Sequence, residues 1–233
     1  LTLPDGSKKE VERGSTVLDA ITAIGPGLAR AAVAAKVDGR WEPLDEPIDH
    51  DASLEVATRN SDEGLFVLRH STAHLMAYAV QELFPDARFG FGPPVENGFY
   101  YDIQVDRPFT EDDLAKIEKR MKELAKHKHP ITREKLEPTT AHERFGDQPF
   151  KVEQIDLLKE NNELFAYQMG DFVDLCEGPH VPNTGELKAF KLLSVAGAYW
   201  RGDENREQLQ RIYGTSWFSK KDLDAYLHQL EEA

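Results

Sequence analysis

Two short motifs hold the residues of this sequence best suited to chemistry. The first is His70-Ser71-Thr72-Ala73-His74, and the second is Cys176-Glu177-Gly178-Pro179-His180. On a helix, positions i and i+4 share a face. Spacing residues by about 100° puts His70, His74, Ala77 and Gln81 on one stripe and Leu68, Leu75, Met76, Ala79, Val80 and Leu83 on another. The histidines therefore point away from the main apolar face, into a cleft or into solvent. Gly178-Pro179 makes the second motif a turn, across which Cys176 and His180 converge. Three histidines and a cysteine suit a tetrahedral zinc shell. They equally suit a metal-free hydrolytic pocket of imidazoles, a thiol and acids. The plainer readings are two exposed histidines at a common spacing and a cysteine that is a small buried hydrophobe.

Other residues could join the four. Asp174, two before Cys176, faces the same side in an extended strand, where it could orient a histidine or hold an amine. Tyr100 and Tyr101 follow an Asn97-Gly98 turn, and alternation sends one of them into sheet packing. Lys151, by itself, reads as a surface lysine. Lys116, Lys119, Arg120 and Lys122 read as the solvated face of a helix. Ala196 to Asp203, with Arg206, Arg211, Tyr213 and Trp217, interleaves arginines and aromatics. That suits stacking and pairing with single-stranded nucleic acid, or a strand whose aromatics are core.

The elements that must position these residues follow from pattern. Residues 1–60 read as ββα and further strands. The first two strands are Leu1–Leu3 and Lys8–Val11, the helix starts near Thr16, and Asp38-Gly39 marks a hairpin. Asn60 to Gly64 reads as a flexible linker, followed by a helix over Leu65–Phe84 that carries the histidine pair. Thr110 and Asp113 form a capping box for the next helix, and Thr139–Arg144 begins another. Residues 150–200 read as strands and loops, and Ser219 caps a final helix.

The chain has 233 residues, with 28 Lys and Arg against 42 Asp and Glu, a net charge of -14. That excludes binding through a uniform cationic field and disfavours anionic membranes. The single cysteine excludes an internal disulfide framework and fits a reducing compartment. No apolar run approaches the roughly 18–20 residues that span a bilayer, and the N-terminus lacks the pattern of a signal peptide. The reading is a cytoplasmic protein. A missing initiator Met and a final helix cut in mid-course suggest part of a longer chain.

Taken together, HSTAH at 70–74, NGFYYDI at 97–103, DLCEGPHVP at 174–182, AGAYWRGDENR at 196–206 and LQRIYGTSW at 209–217 resemble the N-terminal half of bacterial threonyl-tRNA synthetase. The likeness covers nearly the whole chain. It implies an α+β architecture. Residues 1–60 would be a small ubiquitin-like β-grasp (TGS-type) domain. Residues 61–218 would be a larger editing domain with a mainly antiparallel sheet and a helix carrying the HxxxH motif, and residues 219–233 the start of a linker helix. The implied activity is hydrolysis of serine wrongly esterified to threonine tRNA. His70, His74, Cys176 and His180 match the four hallmark positions, with Lys151 a further catalytic candidate and Tyr101 and Asp174 substrate-binding candidates. His70 and Lys151 would hold the water, with His180 near the terminal ribose. The implied partners are the tRNA 3′ end carrying serine and the catalytic and anticodon-binding domains of the synthetase, with neither membrane nor DNA. The resemblance implies no metal cofactor, whereas the related alanyl editing domains bind zinc with this motif set. Glu177 departs from the basic residue often found there. Two other readings are a zinc-dependent alanyl-type deacylase and a non-catalytic tRNA-binding module.

Overall fold

The computed structural model describes residues 1–233. The first 60 residues form helices α1 (Val17–Ile24) and α2 (Pro26–Ala31) and strands β1 (Ala32–Val37), β2 (Arg40–Glu42) and β3 (Leu54–Thr58). The strands lie antiparallel in the order β2-β1-β3. Thr16 caps α1 through a capping box with Asp19. Asp38 and Gly39 both take positive φ, as a two-residue hairpin of right-handed twist demands. Leu1–Leu3 and Lys8–Val11, expected as strands, pair only through an isolated bridge at Thr2 and Lys8. Thr2 bridges Ser53 as well. Val17, Ile21, Ala35 and Leu54 fill a small core of their own.

The next element is α3 (Asp62–Leu83). The expected flexible linker is instead a helix start. Ser61 accepts the Gly64 N–H as N-cap, and Asp62 and Glu63 sit where the helix dipole favours acids. No helix in the chain is long and apolar enough to cross a membrane. After α3 come β4 (Arg88–Phe89), β5 (Pro94–Val95), β6 (Gly98–Gln104), α4 (Glu111–Lys126), β7 (Ile131–Leu136), α5 (Pro138–Arg144), α6 (Pro149–Leu158), β8 (Leu164–Met169), β9 (Phe172–Leu175), β10 (Ala189–Tyr199), β11 (Gln208–Trp217) and α7 (Lys220–Glu232).

All strand pairs are antiparallel. One sheet runs β10-β11-β6-β4, with β5 also on β6, and another runs β7-β8-β9. The α3 helix is buried on both faces, with Leu75, Met76 and Val80 in one continuous core with Phe99 and Ile103 of β6 and Met121 of α4. Val33, Ala34 and Ala57 of the first module share that core. The stripe analysis thus separated two faces that are both interior, and the histidine face looks into an internal cleft.

One element breaks the expectation for 150–200. The α6 helix, with Pro149 in its first turn, carries Lys151 inward. The capping signals at Thr110, Asp113 and Ser219 are where the sequence put them. Trp200, in the segment read as a nucleic-acid binder, is core between Phe91 and Phe150. Nearby arginines are neutralised: Arg206 by Glu153 at 2.8 Å and Arg211 by Asp102 at 2.7 Å.

Candidate active site

Helix α3 supplies His70 and His74, while Cys176 and His180 come from the turn after β9. The four ligand-type atoms lie within 4.8 Å of one another. Cys176 Sγ sits 3.3 Å from His70 Nε2 and 3.4 Å from His180 Nε2. The His70 and His180 rings stack with centroids 4.4 Å apart, and His74 meets His180 edge-on at 4.4 Å. These four residues form a candidate metal-ligating cluster compatible with zinc.

Surrounding partners assign the imidazole tautomers. His70 Nδ1 lies 3.1 Å from the Pro179 carbonyl, which can only accept. His74 Nδ1 lies 3.2 Å from Asp174 Oδ2. His180 Nδ1 lies 3.0 Å from Ser71 Oγ, whose own proton goes to the Val67 carbonyl at 2.9 Å. Ser71 Oγ also accepts the Val181 N–H at 2.9 Å. Each Nδ1 therefore donates outward, and each Nε2 keeps a lone pair for the cluster. Three inward lone pairs face one thiol, whose single proton can serve only one of them. Such a centre accepts hydrogen from a bound water or amine, or holds a cation. Histidines that ligate metals commonly fix Nδ1 in this outward way.

A second layer stands beside the imidazoles. Lys151 is 3% exposed and Asp174 is 2% exposed, so the lysine is interior rather than the surface residue its local sequence suggests. Lys151 Nζ donates to Asp174 Oδ1 at 2.8 Å, to the Gly90 carbonyl at 2.8 Å and to Tyr101 Oη at 3.1 Å. Its three donors are thereby committed. Tyr101 Oη donates to Asp174 Oδ2 at 2.6 Å. A carboxylate accepts about four hydrogen bonds, and this one uses three within the protein, leaving acceptor capacity for a ligand. Tyr101 is the inward tyrosine of the pair, while Tyr100 lies against Arg211 on the other face.

All seven residues expected from the sequence are thus at one place. Sequence reasoning missed Ser71, which fixes His180 across 109 positions of chain, and Tyr167, whose ring meets His180 edge-on at 4.6 Å. It also missed Gly92. A Cβ there would lie 2.2 Å from Tyr101 Cδ2, so the absent side chain makes room for the ring. Gly92→Ala is expected to push Tyr101 off Asp174. It should lower stability by about 1–3 kcal/mol and weaken binding of an amine-bearing ligand, checked by thermal melting and by titration. A cavity of about 290 Å³ opens on His180, lined by Pro130, Ile131, Tyr167 and Pro182 and, from the first module, by Thr16 and Leu44.

Burial sets the protonation states. It lowers the His70 pKa to about 4 and holds His74 and His180 well below the ordinary value. Burial, with the Asp174 carboxylate nearby, pushes the Cys176 thiol up to about 12. At neutral pH the imidazoles are free bases and the thiol keeps its proton. Because the folded His70 is harder to protonate than the unfolded one at 6.5, the unfolded chain takes up protons first as pH falls. The resulting stability is full above about pH 6.5 and is lost toward pH 4. Denaturation midpoints should fall across that window and be nearly flat from pH 7 to 8.

Comparison with known proteins adds the relatives. Residues 1–58 match the TGS domain, and residues 166–213 match the threonyl and alanyl tRNA synthetase second additional domain. The second match contains Asp174, Cys176 and His180. Over all of its length the chain is 54% identical to the threonine--tRNA ligase of Burkholderia multivorans and of Hahella chejuensis, and 55% identical to that of Alkalilimnicola ehrlichii. It spans 37% of the length of each of these curated relatives.

Proposed function

We propose, for a chain homologous along its whole length to the N-terminal region of bacterial threonyl-tRNA synthetases and carrying their TGS and editing-type domains, that it hydrolyses serine wrongly esterified to threonine tRNA. Residues 1–60 are the TGS domain, 61–218 the editing domain and 219–233 the start of a linker helix. The rest of the synthetase, a threonine--tRNA ligase, supplies aminoacylation and anticodon binding. The observation that carries the reading is the convergence of three imidazole lone pairs and a thiol beside the buried Lys151–Asp174–Tyr101 group.

Serine and threonine differ by one methyl, worth about 1–3 kcal/mol in a pocket. Accuracy therefore calls for a second site that admits the smaller product and hydrolyses it. Asp174, with its remaining acceptor capacity, takes serine's ammonium or hydroxyl. His70 Nε2 holds the attacking water and accepts its proton as the new C–O bond forms. The proton passes to the ribose oxygen as the ester bond breaks, with His180 beside it. Lys151, its donors committed, acts through Asp174 by setting its position. It reaches the water only by releasing Gly90 or Tyr101.

The four residues fit zinc in donor type and in their outward Nδ1 bonds. Zinc bound there would be held by His70, His74, Cys176 and His180 and would supply Lewis-acid chemistry. Our reading is metal-independent hydrolysis, supported by the Cys176 thiol lying within hydrogen-bond distance of both His70 Nε2 and His180 Nε2. Activity should survive a chelator. Loss with EDTA and rescue by zinc would establish the zinc-dependent reading instead.

Titration with a non-hydrolysable seryl-adenosine analogue tests the site. The seryl form should bind about 10- to 200-fold tighter than the threonyl form, and Asp174→Asn should weaken both, because the ammonium and hydroxyl are common to the two. Equal binding of the two by the unaltered chain would refute the assignment.

A further inference from the structure

On a chain of net charge -14, one groove is lined by lysines. It lies at the C-terminal end of α4 and has a volume of about 450 Å³. Lys122, Lys126, Lys128 and Lys188 form its rim, over a floor that includes Leu187 and Phe190. All four lysines are exposed. Along α4, Lys116 is neutralised by Asp112 at 3.0 Å, and Arg120 by Glu82 and by Glu123 at 3.0 Å, while Lys119 is unpaired but lies outside the groove. Lys122 reaches Glu118 at 3.4 Å. Lys126, Lys128 and Lys188 form no ion pair, because the acids closest in sequence are spent elsewhere. Glu123 pairs with Arg120, and Glu186 with Arg59.

Lys128 carries a second signal. Its φ is +50°, a conformation that favours Gly or Asn at a helix end. Its stem is also packed: a Cβ on Gly185 would come within 2.9 Å of Lys128 Cγ. A strained backbone and a missing side chain thus hold this ammonium at the groove.

The groove and the cavity that His180 lines have no lining residue in common, but the chain segments that form them are tied together. Thr184 N–H donates to the His129 carbonyl at 2.9 Å, and Ile131 N–H donates to the Pro182 carbonyl at 2.9 Å. Those bonds tie 128–131 to the stretch that leaves His180. Pro130, Ile131 and Pro182 line the cavity over His180, and Lys128 is two residues from Pro130, at most about 7 Å along the chain.

We propose that this groove binds the phosphodiester backbone of the RNA strand whose 3′ end enters the cavity over His180. The proposal rests on the reading of that cavity as an editing site. Exposed ammonium groups spread along a groove, with no arginine fork, suit a polyanion held by point charges rather than a small phosphate ligand. The short chain path and the hydrogen bonds that tie this groove to the segment carrying His180 select an RNA end over an acidic protein segment.

The test uses the 233-residue chain and an uncharged RNA hairpin with a single-stranded 3′ end. Lys126→Gln, Lys128→Gln and Lys188→Gln together should raise its Kd about tenfold or more. The slope of log K against log salt should fall by about 2, at roughly 0.7 per lost contact. The triple arginine variant should retain both. Hydrolysis of 3′-O-seryl-adenosine, which has no phosphodiester, should be unchanged in the glutamine variant. An unaltered Kd and salt slope in that variant would overturn the proposal. So would a matching loss of seryl-adenosine hydrolysis, which would signal general damage. If no ester is hydrolysed at all, the editing reading fails, while the hairpin titration still decides the groove.

Discussion

Lys151→Met should abolish ester hydrolysis and destabilise the fold together. The ammonium is buried against Asp174 Oδ1 at 2.8 Å, and removing it leaves an uncompensated carboxylate in the interior. Breaking a buried pair from one side costs about 3–5 kcal/mol, which for a chain of this length lowers the melting temperature by about 10 °C. Tyr101 and His74 still contact Asp174, but neither supplies a compensating charge. The double variant Lys151→Met with Asp174→Leu should recover much of the stability, because neither charge is then stranded. It should not recover hydrolysis, since the group that takes serine's amine or hydroxyl is gone. Recovery of both would mean the pair is structural only. Equal stability of Lys151→Met and the unaltered chain would contradict the burial argument.

His70→Ala has the second largest expected effect. Its Nε2 lone pair, kept free by the bond from Nδ1 to Pro179, is the one assigned to the water. Loss of a positioned base lowers kcat by roughly 10²–10⁴-fold. Affinity for the seryl-adenosine analogue should stay nearly constant, because Asp174 and not His70 holds the amino acid. That split separates proton transfer from binding. A variant with normal kcat and weakened analogue binding would move His70 from the chemistry to the pocket wall.

Much of this site was legible because its residues are chemically rare and sit in local motifs. Histidine spacing on one helix and a Gly-Pro turn between Cys176 and His180 are local facts that survive folding. The resemblance extended them to Lys151, Asp174 and Tyr101. Lys151 had no local signal. The α6 helix is short and only weakly amphipathic, and the lysine is interior solely because Asp174 and Gly90 meet it there. Ser71 was passed over although it stands inside the first motif, since its work is done on residues more than 100 positions away. The segment 196–217 misled for a related reason. Whether an arginine is free or neutralised depends on acids such as Asp102 and Glu153 that come from other strands and helices. The same dependence hid the lysine groove: α4 shows several cations, and only the fold reveals which ones lack an acid.

The start of α3 was misplaced by three residues because Asn60 to Gly64 looks like loop composition. Ser61 is in fact an N-cap, and the two acids after it favour the first turn. The consequence is functional. A helix that begins immediately after the first module leaves no slack between them, so Thr16 and Leu44 become part of the wall around His180.

The central claim is selective removal of serine. It is tested most directly by incubating the chain with threonine tRNA esterified to serine or to threonine and measuring ester loss in each. The account predicts rapid loss of the seryl ester, survival of the threonyl ester, and seryl ester loss slowed roughly 10²–10⁴-fold in the His70→Ala variant. Equal hydrolysis of both esters, or hydrolysis of neither by the unaltered chain, would contradict it.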